Sequence, residues 1–253
     1  MNYPNIERLI EIIDILRSEN GCKWDREQTH STLKRNMLEE AYEAVDAIDD
    51  NDNKHLCEEL GDVLLQVVLH SQIAKEENAF NIEDVAKGIS DKLVHRHPHV
   101  FGGVKVTSTD EILENWEKLK KEEKPHRTSV MDGISKSQSA LMSAQKISKK
   151  AVKVGFEWDN ENSLYDCVLS EIKEFQEAKT LDDKEEELGD ILFAVVNLAR
   201  WNKIDAEQAL LKSNKKFMKR FREMEALADK ELEHLTLEEW DRLWHIAKEK
   251  TKK

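Results

Sequence analysis

The chain repeats itself once, and this repeat constrains the fold more than any other feature of the sequence. Five blocks recur in the same order, at separations that run from 134 (Gly21 to Gly155) down to 124 and back to 128 (Trp116 to Trp244). Separations that drift by a few residues indicate a tandem duplication with small loop changes. Two repeats are too few for a solenoid, so we expect two compact units. We predict an N-terminal repeat at 1–124, a linker at 125–144 and a C-terminal repeat at 145–253.

Apolar residues recur at helical spacing almost everywhere. Leu33, Met37, Ala41, Ala44 and Ile48 form one such stripe, and no segment shows a convincing strand alternation. The chain has 8 Gly and 3 Pro in 253 residues, which is too few turn formers for a sandwich or a barrel. We therefore predict an all-α protein in which each repeat is a helical bundle.

Composition excludes several classes of protein. There is no run of eighteen apolar residues, so we expect no membrane span, and the N-terminus does not resemble a secretory signal. The net charge of −13 argues against general nucleic-acid binding. Cys22, Cys57 and Cys167 have unrelated spacings, which is typical of a reducing compartment and predicts a cytoplasmic protein.

Paired carboxylates are the feature that points to chemistry. Each repeat has two acidic pairs with a spacing of three, so that each pair shares one face of a helix. Four carboxylates gathered away from water repel one another unless a cation neutralises them. All the donors are oxygens, which favours Mg²⁺, with Mn²⁺ as the other option, over redox iron. The four ligands would be Glu40, Glu43, Glu59 and Asp62 in the first repeat and Glu171, Glu174, Glu187 and Asp190 in the second.

An ordinary solvated acidic face is the competing interpretation, because Asp and Glu make up 52 of the 253 residues. Two features favour the metal site. The pattern occurs twice in register, and Gly61 and Gly189 stand inside helical patterns, where Gly costs about 1 kcal/mol relative to Ala. A glycine in the same place twice predicts close approach by another helix or a bound group.

Basic and aromatic residues complete the candidate site. Lys92 and Arg96 have a spacing of four, as have Lys216 and Arg220, and such cations beside Mg²⁺ would suit a polyphosphate. A solvated basic face would show the same spacing. Two tryptophans could stack on a base, although a helical tryptophan is more often a packing residue. These are Trp116 and Trp244.

The carboxylate motifs resemble a known signature. The segment LEEAYE at 38–43, followed by ELGD at 59–62, resembles the EExxE…ExxD pattern of MazG-type nucleoside triphosphate pyrophosphohydrolases, in their two-repeat bacterial form. This resemblance covers essentially the whole chain. It implies an all-α homodimer that requires Mg²⁺. It also implies hydrolysis of nucleoside triphosphates, ATP among them, to monophosphate and pyrophosphate, with little selectivity for the base.

The resemblance also assigns residues. It places the metal ligands at the four acidic positions of each repeat. The nucleotide contacts would be Lys216, Arg220 and Trp244, with Lys92, Arg96 and Trp116 in the first repeat and Lys184 as a further candidate beside the second ExxD. In two-repeat members the second copy is usually taken to carry the activity. One departure is that the leading Glu of the signature is Glu39 in the first repeat but Ser170 in the second.

Two other functions compete with a broad pyrophosphohydrolase. A non-catalytic, dimeric sensor of Mg-nucleotide would need the same residues, and Ser170 favours it. A narrow enzyme for one damaged or pyrimidine nucleotide would also fit. The chain has no Walker A sequence, so a P-loop ATPase is not a serious rival.

Overall fold

The computed structural model describes residues 3–123 and 127–252. In this part of the chain every regular element is a helix, so the all-α prediction is confirmed. Contacts within the chain divide it into two compact units, Met1–Lys124 and Pro125–Lys253. The first two residues of the predicted linker at 125–144 lie outside the described residues.

The N-terminal unit is built around one long helix at Asn53–Glu76, which packs against the helices Pro4–Arg17, Lys34–Asp49 and Ile82–Arg96. Its helices are α1 (Pro4–Arg17), α2 (Lys23–Glu27), α3 (Lys34–Asp49), α4 (Asn53–Glu76), α5 (Ile82–Arg96), α6 (Pro98–Phe101) and α7 (Thr109–Glu122). The core lies where α1 and α4 meet, with Ile13, Leu33 and Leu69 buried.

The C-terminal unit has a similar arrangement of helices around one long central helix. Its helices are α8 (Ala140–Val152), α9 (Glu161–Glu177), α10 (Leu181–Trp201), α11 (Ala206–Leu227) and α12 (Leu237–Lys250), with a 3₁₀ turn at Leu232–His234. Helix α10 packs along α9 and against α8, and α11 packs along α12. One buried cluster lies between α11 and α12, around Met224 and Leu243.

Caps fix where the two central helices begin. The Asp52 side chain accepts hydrogen bonds from the backbone N–H groups of Lys54 and His55, and Thr180 forms a capping box with Asp183. Such caps satisfy donors that the first helical turn leaves unpaired. Because α4 and α10 start at equivalent residues, each presents its ExxD pair about two turns from its N-terminus.

Many apolar side chains remain exposed on the paired helices. Leu38, Tyr42 and Leu60 in the first unit are each at least half exposed, and Leu169 and Leu192 in the second are similar. None of the described helices combines the length and apolarity needed to cross a membrane.

Candidate active site

Helices α3 and α4 bring three acidic side chains of the first unit together. Glu40, Glu43 and Glu59 each offer a carboxylate oxygen within 4.8 Å of the others. Asp62 lies outside this group, but its charge acts on the group. Desolvation raises the pKa of Glu40 above its ordinary value, and the charges of Asp62, Glu43 and Glu59 raise it further. Three of the four predicted positions therefore converge, and the fourth lies close by.

Glu59 is the buried member of this cluster, at 6% exposure. Its Oε1 lies 2.9 Å from Nε2 of His55, one helical turn earlier. Its Oε2 is also buried and has no hydrogen-bond partner among the described residues. A buried carboxylate oxygen without a donor is costly, and a bound cation would satisfy it. The donor set of oxygens thus fits a hard divalent ion.

Helices α9 and α10 form the corresponding cluster in the second unit. Glu171, Glu187 and Asp190 each offer an oxygen within 4.8 Å of the others. Desolvation raises the pKa of Glu187, and the charges of Glu174, Asp190 and Glu171 add to the rise. Glu174 lies outside the tight group, and its Oε1 accepts a hydrogen bond of 2.9 Å from Oγ of Ser170.

The leading position of the signature is not one of the three grouped residues in the first unit, although its charge contributes to the raised pKa of Glu40. Nε of Arg35 donates to Oε1 of Glu39 at 2.9 Å, on the exposed side of α3. Glu39 is absent from the group formed by Glu40, Glu43 and Glu59. The change to Ser170 in the second unit therefore replaces a peripheral carboxylate.

The basic residues of the first unit lie on α5. Lys92 is exposed, whereas the Arg96 side chain is only 11% exposed and is paired with Glu123, the residue that follows α7. Trp116, on α7, is 39% exposed.

The basic residues of the second unit lie on α11. Lys216 is exposed, and the guanidinium carbon of Arg220 lies 5.7 Å from the centroid of the Trp244 ring. Trp244 also packs on Phe217, with ring centroids 5.4 Å apart. Lys184, near the start of α10, lies 5.9 Å from the ring centroid of Phe175.

Sequence comparison finds the same family in both units. The family model described as "MazG nucleotide pyrophosphohydrolase domain" matches residues 28–101 and 159–224, one segment in each unit. The chain belongs to the MazG family. The predicted resemblance and the predicted tandem repeat of one MazG-like unit are both confirmed.

Curated MazG relatives align over almost the whole chain. "Nucleoside triphosphate pyrophosphohydrolase/pyrophosphatase MazG" of Thermotoga maritima is 45% identical over 96% of this chain and 95% of its own length. "Nucleoside triphosphate pyrophosphohydrolase" of Escherichia coli K12 is 44% identical over 96% of this chain and 97% of its own length. A solved structure of a mazG-related protein from Thermotoga maritima aligns with 46% of this chain and 98% of that one, at 32% identity and a TM-score of 0.40.

Of the two alternatives predicted for the glycines of this MazG chain, close approach by another helix is wrong within the described part of each unit. A Cβ atom built on Gly61 or on Gly189 would meet nothing within 4 Å. Close approach by another described segment therefore does not explain either glycine. The sequence pattern could not distinguish a neighbour in the same chain from one outside it.

Three residues near the MazG clusters escaped the sequence reasoning. Nε2 of His55 lies 2.9 Å from Oε1 of Glu59, Cys167 places its Sγ 3.8 Å from Oε1 of Glu171, and Glu123 pairs with Arg96. The first two have a spacing of four from a carboxylate, which is a local signal that could have found them. Glu123 is 27 residues from Arg96, and no local pattern links them.

Proposed function

We propose that this chain hydrolyses nucleoside triphosphates to the monophosphate and pyrophosphate. The observation that carries the proposal is the pair of carboxylate clusters, one per unit, in which neighbouring charges and burial raise the pKa of one member. Perturbed carboxyl groups that converge from two helices are typical of functional sites. The names of the MazG relatives supply the reaction.

The proposed cofactor is Mg²⁺, with Mn²⁺ as a substitute. The unpartnered Oε2 of Glu59 and the oxygen-only donor sets support a hard cation. When bound, Mg²⁺ would lower the pKa of a coordinated water and neutralise phosphate charge. The ligands would be the four acidic positions of each unit, with Glu40, Glu43 and Glu59 or Glu171, Glu187 and Asp190 as the inner members.

The basic side chains have a separate task in this reaction. Lys216 and Arg220 would bind the phosphate chain and stabilise the charge that develops on the departing pyrophosphate. Trp244 would then offer its ring to the base, since Arg220 and Trp244 already lie against each other. Stacking accepts any base, because every base has a π-face, so we propose broad base specificity. Attack at the α phosphorus rests on the family resemblance.

We also propose that the protein is a homodimer in the cytoplasm. Exposed apolar side chains continue along the site helices in both units, for example Leu60 and Leu64 on α4 and Leu188 and Leu192 on α10. Such a face is larger than scattered surface residues require, and a second copy would cover it. The cytoplasmic location remains a prediction from the cysteines, all three of which are free.

The direct test is release of pyrophosphate from each of eight ribo- and deoxyribonucleoside triphosphates, with Mg²⁺ and with EDTA. We expect Mg²⁺-dependent release from all eight at rates within about tenfold, because stacking discriminates weakly between bases. Rates that differ by several orders of magnitude would favour a narrow enzyme. Nucleotide binding without pyrophosphate release would favour the sensor and overturn the proposal.

A further inference from the structure

The two units differ at one structurally equivalent position beside the phosphate-binding arginine. Helices α7 (Thr109–Glu122) and α12 (Leu237–Lys250) have the same length and begin and end at residues that correspond in the repeat. The residue immediately after the helix is Glu123 in the first unit and Thr251 in the second. Helices α5 and α11, which carry Arg96 and Arg220, also begin at corresponding residues. At this position the first unit therefore has a carboxylate, and the second unit has a neutral hydroxyl.

In the first unit this carboxylate binds the arginine with both oxygens. Nε of Arg96 donates to Oε1 of Glu123 at 3.0 Å, and Nη2 donates to Oε2. The hydrogen bond from Arg96 lowers the pKa of Glu123, and the charges of His95 and Lys92 lower it further. Glu123 thus faces the basic residues of α5 as an ionised group. A bidentate pair of this kind uses the same donor fork that would bind a phosphate.

In the second unit the arginine contacts a hydroxyl group where the first unit has a carboxylate. Nε of Arg220 donates to the hydroxyl oxygen of Thr251 at 3.3 Å, and the guanidinium lies over the Trp244 ring. Within the described ranges, no carboxylate forms an ion pair with Arg220. Thr251 in turn donates its hydroxyl hydrogen to the carbonyl oxygen of Ala247 at 2.8 Å, which fixes the hydroxyl beside the helix.

We propose that Glu123 acts as an internal anion that occupies the phosphate-binding arginine of the first unit, and that Thr251 leaves the equivalent arginine available in the second. A triphosphate must displace Glu123 before it can use Arg96, whereas it meets Arg220 without a competitor. The residue after the last helix therefore sets which unit binds the substrate more tightly. This inference rests on the proposed function, because it takes Arg96 and Arg220 to be phosphate-binding groups.

The test is calorimetric titration of the full chain with a non-hydrolysable triphosphate, α,β-methylene-ATP, in Mg²⁺. We expect the parent protein to show one tight class of sites per chain. Glu123→Thr should tighten the second, weaker class by about tenfold, the scale of one charge-assisted hydrogen bond. Thr251→Glu should weaken the tight class by a similar factor.

Matched variants separate the ion pair from general charge effects. Glu122→Thr removes the same charge one residue earlier and should leave both classes unchanged. Thr251→Gln introduces bulk without charge and should weaken the tight class much less than Thr251→Glu. Adding Arg96→Ala to Glu123→Thr should abolish the gain in affinity of the weaker class of sites. Circular dichroism of each variant checks that the helices are retained.

The possible results distinguish this inference from the proposed function. One result is that the parent binds the analogue while neither Glu123→Thr nor Thr251→Glu changes the affinity of the class of sites that it is expected to alter. In that case the inference is wrong and the proposed function stands. If Glu122→Thr tightens binding as much as Glu123→Thr does, bulk charge rather than the ion pair is responsible, which also overturns the inference. If the parent binds no triphosphate, both fail.

Discussion

Nε2 of His55 lies 2.9 Å from Oε1 of Glu59, one turn further along α4, whereas Oε2 of the same carboxylate is buried without a hydrogen-bond partner in the described part of the chain. Glu59 is 6% exposed, whereas the His55 side chain is nearly half exposed. The corresponding residue of the second unit is Asp183, which serves in the capping box of α10 instead. The two units therefore carry corresponding acidic residues, but the residue one turn before the first Glu of the ExxD motif differs between them.

Replacing His55 should destabilise the metal-free protein. His55→Ala removes the imidazole that lies 2.9 Å from the buried carboxylate of Glu59, which we expect to cost about 1–3 kcal/mol in the free energy of unfolding. Urea denaturation in EDTA measures this loss. Lys54→Ala, an exposed neighbour on the same helix, is the control for the higher helix propensity of alanine. Mg²⁺ should reduce the loss in the free energy of unfolding, because a bound ion stabilises the folded state. Equal stability of His55→Ala and Lys54→Ala would show that the contact contributes nothing.

Removing the acidic ligands should locate catalysis. We expect Glu171→Gln with Glu174→Gln to lower pyrophosphate release by at least about a hundredfold, equivalent to ~2.7 kcal/mol of lost transition-state stabilisation. The parallel pair Glu40→Gln with Glu43→Gln should have a smaller effect, because Glu123 occupies Arg96 in that unit.

Exposed acidic residues on α1 supply the control for that comparison. Glu7→Gln with Glu11→Gln removes two charges far along the chain from both clusters and should leave pyrophosphate release unchanged. The opposite pattern, in which only the Glu40 and Glu43 double variant loses activity, would place catalysis in the first unit. It would also show that the assignment to the second unit is wrong.

Restoring the leading glutamate should change little. In the first unit Glu39 pairs with Arg35 and is not part of the carboxylate cluster. We therefore expect Ser170→Glu to alter pyrophosphate release by no more than about threefold, less than 0.7 kcal/mol in the activation barrier. Ser170→Ala, which removes the hydrogen bond to Glu174, is the companion variant. A gain of tenfold or more in Ser170→Glu would mean that serine impairs the second site.

Much of the site was predictable because its signals are local. The i, i+3 carboxylate pairs and the i, i+4 pair Lys216 and Arg220 follow from helical periodicity, and the repeat provided a second instance of each. The pairing of Arg96 with Glu123 was not predictable, because it depends on how α5 packs against α7. The helix expected beside Gly61 is not found among the described residues of its unit for a related reason: a helical glycine indicates that space is needed, but not what fills that space.

Acid should weaken one cap of the second unit. The hydrogen bond from Lys230, at 2.8 Å, and that from the Thr236 backbone lower the pKa of Glu239 from 4.5 to about 2. Between pH 4.5 and about pH 2, Glu239 is therefore protonated more readily in the unfolded chain than in the folded chain. The stabilising contribution is therefore complete above pH 4.5 and is lost as the pH falls toward 2.

The check on this prediction is thermal denaturation of Glu239→Gln and the parent protein from pH 7 to pH 3. The variant should have a lower Tm at pH 7, and the difference should narrow below pH 4.5. Glu238→Gln, its exposed neighbour in the first turn of α12, should show a smaller and flatter difference. A difference for Glu239→Gln that stays constant with pH would contradict the ionic origin of the contribution.

The glycines of the two ExxD motifs should matter to assembly. Gly61 and Gly189 each cost about 1 kcal/mol of helix stability relative to Ala, and among the described residues of each unit none lies close enough to require them. Leu60 and Leu188, their neighbours, are about half exposed. If a second copy covers these faces, an added methyl group at the glycine obstructs its approach.

We expect Gly61→Ala with Gly189→Ala to raise the dimer dissociation constant by at least about tenfold, or 1.4 kcal/mol, in sedimentation over a dilution series. Gly88→Ala, also at an open helical position, is the matched control and should leave the dimer intact. If the double variant sediments with the same mass as the parent dimer over the dilution series and has a higher Tm, no second copy approaches these glycines.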